Sequence, residues 1–188
     1  MTAARIVVLV VVLAASVAGC GGGGGSKNEG SSAAPVPSGS SLGLSSTGFT
    51  NGARIPTRYT CDGQNTSPQL TWTLVPTRTA SLALLMEDPD GAGGNFVHWT
   101  VYDIPRGSAS TAPDSVPRGS VQGTNSFGDA EYEGPCPPRG DKPHHYVFHI
   151  YALDDDLGLK AGAQPEDVRQ AIKQHAIATG ALTGDYSR

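Results

Sequence analysis

Three clusters of side chains in this sequence could do chemistry: Asp88-Pro89-Asp90, His98, and His144-His145-Tyr146, the last preceded by Gly134-Pro135-Cys136-Pro137-Pro138. Carboxylates, imidazoles, a phenol and a thiol in one chain support three chemistries. In a thiol hydrolase Cys136 would attack, His144 would act as base and Asp88 would orient it. Pro137 and Pro138 argue against this, because neither has a backbone N–H and the residue after a nucleophile commonly supplies an oxyanion donor. A metal site could draw on Asp88, Asp90, His98 and His144, all competent ligands. The histidines lack the compact spacing of HExxH or of a zinc finger, so no metal and no cofactor is expected. In the third chemistry the imidazoles and the Tyr146 hydroxyl donate hydrogen bonds to a phosphate-like anion, while Asp88 orients a histidine or meets a ligand amine. The prolines then stiffen an apolar rim above this polar floor. A lone strand histidine with an ordinary structural hydrogen bond would look the same at His98, and only its company favours a ligand.

Strands must position these groups. Ser81 to Glu87 (SLALLME) is a short apolar run fit for a buried strand, and Asn95 to Ile104 and His145 to Leu153 are rich in aromatic and β-branched residues. Leu70 to Leu74 adds a shorter strand. Strict alternation puts Phe96, His98, Thr100 and Tyr102 on one face and Val97, Trp99 and Val101 on the other. One segment reads as helix: Pro165 at its first position, Glu166 and Asp167 in the first turn, then Val168, Ala171, Ile172 and His175 at helical spacing, with an end near Gly180. The domain is therefore expected to be mainly β with a late helix.

The chain has 188 residues with 17 acidic and 13 basic side chains, a formal charge of −4, and its Lys and Arg are scattered. Nucleic acid is excluded as a partner on that distribution. Arg5, the apolar run from Ile6 to Leu13 and the following small residues form an export signal too short to span about 30 Å of hydrocarbon. Val17-Ala18-Gly19-Cys20 resembles a bacterial lipobox, so residues 1–19 are expected to be removed and Cys20 lipidated. Residues 20–43, rich in Gly, Ser and Pro, have too little apolar surface to offset their ordering entropy and read as a tether. Residues 44–188 remain as one domain.

Together, YTCDGQNTSPQLTW (59–72), DPD (88–90), FVHWTVYDIP (96–105), NSFG (125–128), GPCPPRG ahead of HHYVFHIYALD, and a terminal LTGDY resemble the phosphatidylethanolamine-binding protein family, specifically its bacterial Raf-kinase-inhibitor-like branch. The match runs from about Phe49 to Tyr186 and is specific in combination. It implies a central antiparallel sheet, a smaller second sheet, peripheral helices, and a pocket for phosphate and related anions. Carried over by position, the ligand-binding residues would be Asp88, Asp90, His98, Pro137, Pro138, His144 and Tyr146, with Tyr186 helping to close the pocket. The chain departs from the family where its DPDAP reads Asp88-Pro89-Asp90-Gly91-Ala92, lacking the second proline, and where His145 replaces the usual Arg. The resemblance also allows the loops of Cys61 and Cys136 to lie close, and in an exported domain such a pair is expected to form a disulfide. The function expected is that of a non-enzymatic binding protein, lipid-anchored on the extracytoplasmic face of a bacterial membrane, with a small anionic ligand. An inhibitor or interaction module with a protein partner, such as an extracellular hydrolase met by the loop from Arg106 to Gln122, is the alternative, and a cysteine hydrolase the third.

Overall fold

The computed structural model describes residues 41–188. The expected signal, Cys20 and the tether up to residue 40 lie outside the described residues. In chain order the elements are β1 (Gly43–Ser46), β2 (Ala53–Arg54), β3 (Leu70–Thr73), β4 (Ser81–Asp88), β5 (Phe96–Pro105), β6 (Val121–Gln122), β7 (His144–Leu153), α1 (Pro165–His175) and β8 (Ala176–Tyr186), with one 3-10 turn at Thr57–Tyr59. Six strands form the main sheet in the order β2-β8-β7-β4-β5-β6, and β1 and β3 form a separate antiparallel pair. The main sheet is antiparallel except for the short parallel pairing of β2 with β8.

Strand β4 is buried along nearly its whole length because β5 and β7 flank it and both faces of the sheet are covered. On one face Leu82, Leu84, Met86, Trp99, Phe148 and Ile150 pack with Trp72 of the small sheet. On the other, Ala83, Leu85, Tyr102, Tyr151 and Leu153 receive Val168 and Ile172 of α1. The helix starts as its sequence dictates, with Pro165 in the first turn, Glu166 and Asp167 beside the positive end of the dipole and Lys173 and His175 at the other.

It stops earlier than the expected Gly180. Ala176 is already extended, and β8 follows with no loop between. From Ala176 onward the burial period is two, not 3.6: Ala178, Gly180, Leu182, Gly184 and Tyr186 face inward. Ten of the eleven residues of β8 find backbone partners along β7, which a continued helix would leave without them. Gly180 permits this, since a Cβ there would lie 2.3 Å from the Leu42 carbonyl oxygen. The same contact moves the start of ordered packing ahead of residue 44: Leu42 is buried in the core, and its N–H donates to the Thr179 carbonyl (2.9 Å).

Candidate functional site

Asp88 ends β4, His98 lies near the start of β5 and His144 opens β7, so one end of three adjacent strands carries the first polar groups. Strict alternation would turn His98 away from this group. A shift of register prevents it: Met86 pairs with Trp99 but Glu87 pairs with Val97, one step on β4 against two on β5. The extra residue swings His98 toward Tyr146, to 5.2 Å between ring centroids, whereas Thr100 and Tyr102 keep the phase that alternation gives. Asp88, His98, His144 and Tyr146 are all buried.

Each of these groups has a fixed role. The Nδ1–H of His98 donates to the Glu133 carbonyl oxygen at 2.7 Å. A carbonyl only accepts, so in neutral His98 the other nitrogen, Nε2, is a lone-pair acceptor, and it has no hydrogen-bond partner among the described residues. Burial pushes the His98 imidazole down in pKa, against the pull of the Glu133 carbonyl and the Asp88 carboxylate. His144 donates Nδ1–H to Asp88 Oδ2 at 2.8 Å, and its Nε2 is 3.5 Å from Asp141 Oδ2. Burial opposes its charge too, but the Asp88 hydrogen bond and the Asp88 and Asp141 charges together raise its pKa. The Tyr146 hydroxyl is buried and makes no well-formed hydrogen bond among the described residues, although Asp88 and the Cys136 backbone are close enough to act on it. Burial first, and the Asp88 charge second, keep this phenol protonated.

The other expected residues sit around this core. Pro137 is buried and Pro138 exposed, next to the exposed Cys136. Asp90 is turned toward the segment after the prolines, where its carboxylate accepts from Lys142 Nζ (2.8 Å), His145 N (3.0 Å) and His145 Nδ1 (2.7 Å). Those bonds, Lys142 first, hold the Asp90 carboxyl far below its ordinary range. They also supply what the missing proline would: with Asp90 N donating to Asp88 Oδ1 (2.8 Å), the turn after β4 is pinned by hydrogen bonds. His145 thus serves Asp90 and is itself exposed. Tyr186 pairs opposite His144 in the sheet, but its hydroxyl donates to Asp62 Oδ2 (2.8 Å).

Cys61 and Cys136 are joined by a disulfide across 75 residues. Cys136 therefore carries no free thiol, and the hydrolase arrangement lacks its nucleophile although the His144–Asp88 pair is in place. Hydrogen bonds reinforce the bridge: Cys61 N to Pro135 O (3.2 Å), Gly134 N to Asn65 Oδ1 (2.8 Å) and Tyr132 Oη to Tyr59 O (2.8 Å). A Cβ on Gly134 would lie 2.2 Å from the Tyr59 carbonyl oxygen, so only glycine admits this approach. Sequence reasoning missed three participants. Glu133 acts through its backbone, which no side-chain motif reveals; Asp141 is one of several loop acids; and Phe127, in NSFG, is apolar and was not read as part of a site.

A groove of about 640 Å³ lies on the α1 face, lined by Leu85, Glu87, Tyr151, Arg169, Ile172 and Lys173 among others. It contains none of the expected site residues. Arg169 there is paired with acids of the same groove, its Nε on Glu87 Oε1 at 2.7 Å and its guanidinium also beside Glu166. Tyr146 Oη and His98 Nε2, which have no well-formed hydrogen bond among the described residues, lie instead beside Asp88 and His144.

The model of the phosphatidylethanolamine-binding protein family matches residues 45–187. A UPF0098 protein of Methanothermobacter thermautotrophicus is 44% identical over 78% of this chain and 99% of its own. A Mycobacterium tuberculosis protein named "Putative lipoprotein LppC" is 42% identical over 82% of this chain and 77% of its own. Escherichia coli YbcL, described as a member of the mammalian PEBP family, has a crystal structure that superposes with a TM-score of 0.75 at 35% identity, covering 78% of this chain and 98% of that one. With a mainly β fold of two sheets, the match along almost the whole described domain establishes that this chain belongs to the phosphatidylethanolamine-binding protein family.

Proposed function

We propose that this protein is a non-enzymatic, lipid-anchored extracytoplasmic binding protein whose pocket takes a small phosphate-like anion. The observation that carries the reading is the buried Tyr146 hydroxyl without a partner, beside the unpartnered Nε2 of His98 and the charge-prone His144. Leaving a buried hydroxyl unpaired costs about 1–3 kcal/mol, a cost that a bound acceptor removes. The three groups also differ in kind. Tyr146 and protonated His144 donate, and neutral His98 accepts. A phosphomonoester monoanion, with several accepting oxygens and one P–OH, matches that set, because its hydroxyl can give a proton to His98 Nε2 while its other oxygens accept. Asp88 contributes by holding His144 and neutralising it, and Asp90 and Tyr186 by fixing the turn and the C-terminal segment around the pocket. The anchor rests on the export signal and on Val17-Ala18-Gly19-Cys20, and a relative named as a lipoprotein lends it support.

Calorimetric titration of the mature domain with inorganic phosphate and phosphoethanolamine tests the reading. Saturable binding at millimolar concentration or below is expected, falling at least tenfold in His144→Ala. No binding of either anion, or equal binding by the variant, would overturn it and move attention to the loop from Arg106 to Gln122 as a protein-docking surface.

A further inference from the structure

We propose that the anion carries an apolar, planar ester substituent and that Phe127 selects it. The inference rests on the anion-pocket reading and goes beyond it by naming what is attached to the phosphate. Two large hydrophobic side chains are exposed among the described residues, Leu74 and Phe127, and Phe127 is 54% exposed at the edge of the candidate site. Its ring lies 4.9 Å from Phe96 and 6.0 Å from His98, edge-on to both. Phe96 in turn lies 5.2 Å from His98, its ring tilted against the imidazole. A run of aromatic rings therefore connects the buried His98 imidazole to the surface.

This exposure is built into the turn. The buried Asn125 accepts from Phe127 N (2.9 Å) and Asp129 N (3.1 Å) through Oδ1, and donates to the Glu131 carbonyl through Nδ2 (3.2 Å). Ser126 N donates to Val97 O (2.8 Å), and Ser126 Oγ accepts from Val97 N (2.9 Å), which staples the turn to β5. A fixed turn that holds a phenylalanine half in water, within 6.0 Å of the buried His98 ring, forgoes burial that a looser turn could recover; an apolar ligand group would restore it. An edge-to-face partner fits the existing geometry, in which each neighbour already meets the Phe127 ring at more than 70°.

The test compares phenyl phosphate with phosphoethanolamine, one monoester with a neutral aromatic group and one with a small cationic group, and includes inorganic phosphate; the Phe127 variants separate the aromatic contribution from that of the charge. In the parent protein phenyl phosphate should bind roughly tenfold more tightly than phosphoethanolamine. Phe127→Ala should collapse that ratio to near one, and Phe127→Leu should keep part of it; far-UV circular dichroism checks that both variants fold. If phosphate and phosphoethanolamine bind but phenyl phosphate binds no better, or if Phe127→Ala leaves the ratio unchanged, the substituent inference is wrong and the pocket reading stands. If none of the three binds, the pocket reading fails and this inference with it.

Discussion

Tyr146→Phe should make the free protein more stable and the binding protein worse. The tyrosine ring is fully buried and stacks against His98 and His144, so phenylalanine keeps the packing and deletes one oxygen. That oxygen is buried without a hydrogen-bond partner, and an unsatisfied buried hydroxyl costs about 1–3 kcal/mol. Its removal should raise the unfolding free energy by that order and Tm by roughly 3 °C per kcal/mol for a domain of this size. In the complex the same hydroxyl donates to a charged oxygen, a bond worth about 1.5–3 kcal/mol, so affinity for phosphoethanolamine should fall by roughly tenfold to a hundredfold. Urea denaturation under non-oxidising, non-reducing conditions, with and without the anion, reads both quantities. Added ligand should stabilise the parent far more than the variant. A Tyr146→Phe protein that is less stable without ligand would refute the reasoning, because it would mean that the hydroxyl is already satisfied.

The remaining expectations follow from the same geometry. His144, whose pKa is raised by Asp88, adds stability that is fully present below its unfolded value of about 6.5 and is lost as pH rises through the folded value; Asp88→Asn should flatten that part of the pH–stability profile measured by denaturation. His98 has the opposite sign: buried and depressed, it favours the fold above about pH 6.5 and loses that contribution as pH falls toward its folded value, and His98→Gln should remove the loss. Anion affinity should rise as pH falls from 8 toward 6, with proton uptake visible as a buffer-dependent heat of binding, since protonation of His144 and of the phosphate fills the donor and acceptor set that neutral His98 completes. Breaking the disulfide by Cys61→Ser with Cys136→Ser should cost about 4 kcal/mol by the chain-entropy relation for a 75-residue separation, measured by urea denaturation; a loss under 1 kcal/mol would show that the surrounding hydrogen bonds suffice. Cys20→Ala should release the protein from membranes or block its processing, seen by fractionation of cells; a correctly processed variant that still sediments with membranes would exclude the lipid anchor.

Much of the frame was legible in the sequence because the central strands are apolar over their full length. SLALLME, FVHWTVYDI and HYVFHIYAL each lie within a residue or two of β4, β5 and β7. The longest of the strands that the sequence pattern does not reveal, β8, is built of Ala, Gly and Thr with few large side chains, and it follows a helix without a break, so its period of two is hidden beneath a helical signal that runs past His175. Of the site, Asp88, His144 and Tyr146 could be grouped from residue type and alternation. The position of His98 could not, since it depends on one extra residue in β5 opposite Met86 and Glu87, and such a shift has no signature in FVHWT. Nor could the tautomer, which a backbone carbonyl 35 residues away decides. Leu42 is a lone large side chain in a small-residue stretch, and only its seat against Gly180 shows that it belongs to the core.

A crystal structure of the domain with phosphoethanolamine would locate the anion. A phosphate group is expected with one oxygen within hydrogen-bond distance of Tyr146 Oη, a second near His98 Nε2, and His144 still held by Asp88. Phosphoethanolamine seated elsewhere on the protein, with the Tyr146 hydroxyl still unpaired, would contradict the anion-pocket reading.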